Sequence, residues 1–274
     1  ELAVEQINWA GGLTAPDGTT YTLELAIESA TDEVSARAAI QSLLERDVIA
    51  LLGPDAVDQT LPNLDLAAEA RVPQLTSTLA AALTAQDAAN FVFRIRASDL
   101  ARSQALADYL ANQMGFRRVS TSFTNTPYAN AGIVTFDAVL GDLGLQPVIE
   151  AQHDATDLDM SVAAQVIASN ALEVVVHWGN PYQAAMLLQE LRALGWQGVF
   201  VYSDISPTFL GLLSGDQTAG VIGPLTWVYT LPEPASRAFL ADYVQAFGVI
   251  PNERSAAYYD AAQLLAAAVR AVGN

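Results

Sequence analysis

Short apolar runs alternate with helical stretches along almost the whole chain, and few folds accept that alternation. Val48–Leu52 is a continuous apolar run closed by Gly53-Pro54, as expected of a strand buried on both faces of a parallel sheet. Thr31–Asp47 before it carries Ala36, Ile40, Leu43 and Leu44 at helical spacing. Thr20–Ser29 sets Tyr21, Leu23, Leu25 and Ile27 on one face at period two, which predicts a strand. The pattern then recurs. It predicts helix Gln59–Ala70, strand Pro73–Thr76, strand Phe91–Ile95, helix Leu100–Met114, strand Arg118–Phe123, helix Ala129–Leu140 and strand Gln146–Glu150. Helix Ser161–Asn170, strand Leu172–His177, helix Tyr182–Leu194, strand Gly198–Tyr202 and helices Glu233–Phe247 and Ser255–Val272 complete it. Strand–helix alternation with short connections predicts an α/β chain whose parallel sheets are covered on both sides. Eight or nine such steps exceed what one small doubly wound sheet holds, so two such domains are expected. No Pro/Gly/Ser-rich linker separates them, so several direct crossovers are expected to join them.

Composition excludes several classes of partner. The chain has 274 residues, of which 52% are apolar, enough for real cores and too many for a disordered protein. Thirty acidic residues against 12 basic ones, all arginine, leave a net charge of −18. That balance argues against nucleic acid, which needs clustered bases, and against an anionic membrane surface. There is no Cys, hence no disulfide, thiolate nucleophile or Cys-based metal site. His153 and His177 are the only histidines, which leaves little for a transition metal. Neither a signal peptide nor an apolar run of spanning length is visible.

The motifs of familiar enzymes are missing: no G-x-S-x-G, P-loop, H-E-x-x-H or G-x-G-x-x-G occurs. The loops that follow the strands are more informative, because open α/β sheets bind ligands beyond the carboxyl ends of their strands. Gly53–Asp58, Thr76-Ser77-Thr78, Thr124–Tyr128 and His177–Pro181 are rich in small polar or aromatic groups, and Asp204 lies just past a strand. Hydroxyls and free N–H groups at helix starts suit a small polar ligand, a carboxylate above all. Taken singly, Asp58, Thr126 and Asn180 also read as ordinary helix caps.

Six stretches then carry a resemblance. LAVEQINWAGG (Leu2–Gly12), VIALLGP (Val48–Pro54), RVPQLTSTLAAALT (Arg71–Thr84), FVFRIRASD (Phe91–Asp99), PYANAG (Pro127–Gly132) and YYDAAQLLAAA (Tyr258–Ala268) occur in this order over nearly the whole chain. Together they resemble the periplasmic-binding-protein type I family, in particular the branched-chain amino-acid (Leu/Ile/Val) substrate-binding components of ABC transporters. The resemblance implies two Rossmann-like, doubly wound parallel-sheet lobes joined by a three-crossover hinge. Residues 1–98 with 229–274 would form lobe I and 99–228 lobe II. The ligand, a small amino acid, amide or related metabolite, would close between them. It implies a monomeric protein outside the cytoplasm (in the periplasm or as a cell-surface lipoprotein) that delivers to an ABC permease in the membrane. No cofactor, metal or catalytic residue follows from it.

Carried over by position, Thr76, Ser77 and Thr78 would hold a ligand carboxylate, with Leu79 and Ala80 adjoining. Tyr128 falls on an aromatic contact, Trp178 and Asn180 near another, and Asp204 near an acidic position that pairs with a ligand ammonium. Asp99 matches an acid at the first crossover. There are two departures. Where the family commonly has Ser after the Gly-Pro turn, this chain has Val57 and Asp58, and a ligand carboxylate beside Asp55 and Asp58 would meet like charge. The family's first strand, which carries a further contact, would precede Glu1, so a trimmed chain is expected. The same fold serving as a ligand-sensing receptor domain is the alternative, and an α/β enzyme a more distant one.

Overall fold

The computed structural model describes residues 1–170 and 172–273; Asn274, the last residue of the expected lobe I, lies outside the described residues. The chain forms two compact units, Glu1–Arg96 with Thr226–Asn274 and Ala97–Leu225. Among the described residues it passes from one unit to the other twice, at 96/97 and 225/226, where the resemblance implies three crossovers.

Unit 1 opens with helix α1 (Leu2–Trp9) and a hairpin of β1 (Leu13–Thr14) and β2 (Thr20–Tyr21). Helix α2 (Glu33–Leu44), β3 (Leu51–Leu52), α3 (Val57–Thr60), α4 (Leu64–Ala70), β4 (Gln74–Thr76), the short α5 (Leu83–Gln86) and β5 (Val92–Arg94) follow. Strands β3, β4 and β5 form a parallel sheet in that order, with Leu51 opposite Gln74 and Gln74 opposite Val92. Two expectations change here. The helix predicted over 59–70 is split by a 3-10 turn at Leu61–Asn63, because Pro62 has no N–H to give an α-helical bond. Of the strand predicted over 20–29 only Thr20–Tyr21 pairs, antiparallel to β1. Among the described residues no strand pairs with the rest of that stretch, and Leu25 and Ile27 are exposed.

Unit 2 contains α6 (Asp99–Asp108), which runs on as a π-helical turn over Tyr109–Gln113, then β6 (Val119–Thr124) and α7 (Pro127–Asp142). It continues through β7 (Ile149–His153), α8 (Ser161–Ser169), β8 (Val174–Trp178), α9 (Pro181–Ala193), β9 (Val199–Tyr202), α10 (Pro207–Gly211) and β10 (Val221–Ile222). The sheet is wholly parallel in the order β10-β9-β8-β6-β7. Strand β7 starts three residues later than the pattern predicts, past Pro147, which cannot donate to a ladder. Both faces are packed. Val174, Val176 and Trp178 of β8 join Phe136 and Leu106 on one side, while Val175 joins Leu187, Phe200 and Phe209 on the other. This is why the strand reads as an unbroken apolar run.

The chain returns to unit 1 through α11 (Pro234–Phe247) and α12 (Glu253–Val272). Helix α12 packs on α1, with Ala256 beside Leu2 and Phe239, and Ala266 beside Ile7 and Leu13. Its Glu253 secures the two points where the chain leaves and re-enters the unit. Its carboxylate accepts from the Arg96 guanidinium and from both the N–H and the hydroxyl of Thr226, and the ion pair is buried. None of the described helices is long and apolar enough to cross a membrane.

Two predictions follow from this packing. An added Cβ at Gly132 of α7 would fall inside the Trp178 indole. Gly132→Ala is therefore expected to destabilise unit 2 by about 1–3 kcal/mol in denaturant melts. Glu253→Ala leaves a buried guanidinium short of its partner and is expected to cost about 3–5 kcal/mol in the same measurement.

Candidate functional site

In unit 2 the strand order reverses direction between β6 and β8, and the crevice beyond the carboxyl ends of these strands is where such sheets take ligands. The residues there are wired together. The Thr124 hydroxyl accepts from the Asn180 N–H at 2.9 Å and donates to Gln183 Oε1 at 2.7 Å. Gln183 in turn donates to the carbonyls of Asp154 and Asp157. Gly179 between β8 and α9 has φ 134°, and a side chain there would strike Thr124. Thr126 and Asn180 cap α7 and α9, accepting from the N–H groups of Ala129 and Tyr182.

Tyr128, half-buried in the first turn of α7, donates to Ser203 Oγ at 3.1 Å. Burial first, and then the charges of Asp99 and Asp204, hold its phenol above the ordinary range, so it is a proton donor at neutral pH. Arg102 donates to the carbonyls of Ser203 and Pro224 and fixes the loop that carries Asp204. Tyr128, Ser203, Asp204, Arg102 and Asp99 are thus one cluster, of which the sequence reading named Tyr128, Asp204 and Asp99. Arg102 and Ser203 were missed because neither stands in a motif.

Trp178 is a correction. Its side chain is 1% exposed and lies in the core against Gly132 and Phe136, 5.3 Å between ring centroids, so it offers a ligand no surface. The alternation of β8 explains this, since Trp178 shares its face with Val174 and Val176. Asn180 stays half-buried at the crevice, its side chain used as a cap.

Across the sheet beneath, Ser122 Oγ lies within hydrogen-bond distance of both imidazoles, 2.9 Å from His153 Nε2 and 3.0 Å from His177 Nδ1. A hydroxyl between imidazoles is an arrangement that nucleophilic catalysis uses. Here Ser122 and His177 are both 0% exposed, which leaves no path for a substrate. Burial lowers both histidines, His177 down to about 3.

In unit 1 the loops after β3 and β4 meet helix α12. The Asp55 carboxylate, past the cis Gly53-Pro54 bond, accepts from the Ser77 hydroxyl at 2.7 Å and from the Tyr258 phenol. The Ser77 N–H reaches the same phenol oxygen at 3.4 Å. Burial, then Asp55, raises Tyr258 above the ordinary tyrosine range, so it too stays protonated. The Nε of Arg254 lies 4.0 Å from the second Asp55 oxygen, with both side chains partly exposed. Thr76 donates to the Pro54 carbonyl and accepts from the Thr78 N–H. The Thr78 hydroxyl is buried with no hydrogen-bond partner. Val57 is buried as the first residue of α3, and Asp58 is exposed. The like charge expected of Asp55 is therefore offset by Arg254 and by two hydroxyl donors. A cavity of about 410 Å³ opens alongside, with Asp55 and Tyr258 in a wall otherwise formed largely by apolar residues such as Ile40, Leu43 and Leu51. No group of three or more His, Cys, Asp or Glu placed to hold a metal ion occurs among the described residues.

The buried imidazoles give a prediction. A free histidine titrates near 6.5 and His177 near 3, so the unfolded chain takes up a proton that the folded unit refuses. Its contribution to stability is complete above about pH 6.5 and is lost as pH falls toward 3. Asp137 of α7 opposes it, since burial and Glu150 raise its carboxyl to about 6 and its contribution is lost as pH rises through that value. His177→Asn is expected to flatten the fall in Tm between pH 6.5 and 4 in calorimetric scans.

A family model described as periplasmic binding protein matches residues 1–274. Leu/Ile/Val-binding protein homolog 3 of Brucella melitensis biotype 1 is 25% identical over 224 residues, which are 81% of this chain and 60% of that one. The chain thus spans less than two thirds of that relative's length. The branched-chain amino-acid transporter substrate-binding protein LivJ from Streptococcus pneumoniae, in complex with isoleucine, shares the fold with a TM-score of 0.87. Identity is 21%, over 98% of this chain and 76% of that one. The leucine-binding protein LivK from Thermotoga maritima gives 0.82 at 21% identity, again over 98% and 76%. A solute-binding protein of an ABC transporter from R. palustris, in complex with benzoate, gives 0.80 at 19% identity, over 99% and 75%.

Proposed function

Because the chain belongs to the periplasmic-binding-protein family, we propose that it is the extracytoplasmic solute-binding component of an ABC importer. It acts as a monomer, its ligand is a small amino acid, amide or related metabolite, and its partner is a permease in the membrane. The observation that carries this reading is the pair of polar clusters at the carboxyl ends of parallel strands. Asp55, Ser77 and Tyr258 form one in unit 1, and Tyr128, Ser203 and Asp204 form the other in unit 2. Each mixes hydroxyl donors with carboxylate, the equipment for holding a small polar molecule through charge-assisted hydrogen bonds. Relatives of the same fold are named for binding leucine, isoleucine or valine, or carry isoleucine or benzoate, which supports the solute class. No step of bond breaking is required of these residues, and binding is the whole of the chemistry proposed.

Hinge closure on the ligand is part of the reading. An affinity near 1 μM corresponds to about −8 kcal/mol, within reach of a few such bonds together with apolar burial. The purified protein is expected to gain Tm with at least one solute in a panel of amino acids, amides and aromatic acids. Small-angle X-ray scattering is expected to show a smaller radius of gyration with that solute. A flat melting response across the panel, with nothing copurified by mass spectrometry, would overturn the reading.

A further inference from the structure

Three segments of unit 2 that lie far apart in sequence meet on Arg102. The residue closes the first turn of α6, just after the chain enters the unit at Ala97, and its own N–H donates to the Ser98 carbonyl. Its Nη2 donates to the Ser203 carbonyl at 2.7 Å and to the Pro224 carbonyl. Ser203 adjoins Asp204 on the rim, and its hydroxyl accepts from Tyr128. Pro224 adjoins Leu225, where the unit ends. The exit segment also presses on the rim loop, since a Cβ on Gly223 would lie 2.5 Å from the Tyr202 carbonyl oxygen and 2.7 Å from the Ile205 side chain. The guanidinium is an expensive way to fill this space. Arg102 is 3% exposed, and its Nε and Nη1 are buried without a hydrogen-bond partner. Buried donors left unmade destabilise, and an apolar side chain of similar volume carries none. The charge is not isolated, because Asp99 and Asp204 act on the same Tyr128 phenol as Arg102 does. What the guanidinium adds over an apolar residue is therefore the link between two carbonyls.

We propose that Arg102 is a positioning residue that couples the rim loop at Ser203–Asp204 to the segment by which the chain leaves unit 2, so that a solute held by the loop also steadies the exit at Pro224. The link is a property of unit 2 by itself, and its part in binding rests on the solute-binding reading above. Arg102 does not touch the solute. It makes the loop and the exit open and close as one element, and a ligand that favours the ordered loop then favours the ordered exit by the same free energy.

Hydrogen–deuterium exchange read by mass spectrometry tests this on the intact chain, with Arg102→Met and Arg102→Lys beside the wild type. In solute-free Arg102→Met, residues 203–205 and 225–227 are both expected to exchange roughly tenfold faster, the worth of one hydrogen bond to a charged group, while β8 and α9 keep their rates. Arg102→Lys keeps a charged donor without the fork and is expected to fall between the two. The solute arm uses whichever member of the panel of amino acids, amides and aromatic acids raises Tm, starting with L-isoleucine and benzoate. That solute is expected to slow both segments in the wild type and only residues 203–205 in Arg102→Met. The inference is overturned if one segment quickens without the other, if neither does, or if all of unit 2 quickens alike. It is also overturned if the solute still slows residues 225–227 in Arg102→Met. None of these results touches the solute-binding reading. Should Arg102→Met not fold, Arg102→Lys carries the same comparison. In the wild type the two segments are expected to share one denaturant dependence of exchange, and separate dependences overturn the link. A wild type in which no member of the panel slows residues 203–205 or raises Tm overturns the solute-binding reading and the coupling to a solute, while the solute-free comparison still decides the link.

Discussion

A parallel sheet covered on both faces leaves one place for polar chemistry, the rim where its strands end. In unit 2 every residue of β8 from Val174 to Trp178 is buried, and both faces are closed by apolar packing from helices. Among the polar side chains that enter this sheet, Ser122, His153 and His177 hydrogen-bond to one another and are buried, while His177 Nε2 is left without a partner. The groups able to meet a solute are then those of the loops at the carboxyl ends, where Tyr128, Asn180 and Asp204 sit. In unit 1, where Leu52 and Phe93 leave the sheet partly open, the loops past β3 and β4 likewise bring Asp55 and Ser77 together.

Each rim is held by groups that do not themselves face a ligand. Thr124 and Gln183 tie β6, β8 and the segment after β7 together, so Asn180 and the start of α9 have a fixed position. Arg102 holds the Ser203 and Pro224 carbonyls and with them the turn that carries Asp204. In unit 1, Glu253 joins the chain's exit at Arg96 to its return at Thr226. A site that must discriminate between similar solutes needs such support, because a loosely held donor cannot favour one geometry over another.

Much of the fold was legible before any coordinates. The segments 48–52, 73–76, 91–95, 118–123, 172–177 and 198–202 all contain strands. Burial on both faces explains the unbroken apolar run of β8, whereas in unit 1 Leu52 and Phe93 stay exposed on their strands, so the run at 48–52 is not the doubly buried strand its composition suggests. The pattern failed where a neighbour decides the outcome. Thr20–Ser29 alternates as a strand should, yet among the described residues only Thr20–Tyr21 finds a strand to pair with. Of the candidate site, Tyr128 and Asp204 were found within one cluster, Ser77 within another, and Trp178 was misplaced because a loop-end aromatic and a core aromatic read alike until the face is known.

The sequence by itself determined the strand–helix alternation, the caps at Thr126 and Asn180, and the rim loops, since each depends on residues a few positions apart. Tertiary structure alone decided which of those loop residues work together. Asp55 meets Tyr258 across 203 positions, Arg102 reaches Ser203 across 101, and the Trp178 indole fills the space that Gly132 leaves open. Contacts of that range leave no periodic trace in a sequence, because hydrophobic patterning records only which face of an element is buried and not what lies opposite it.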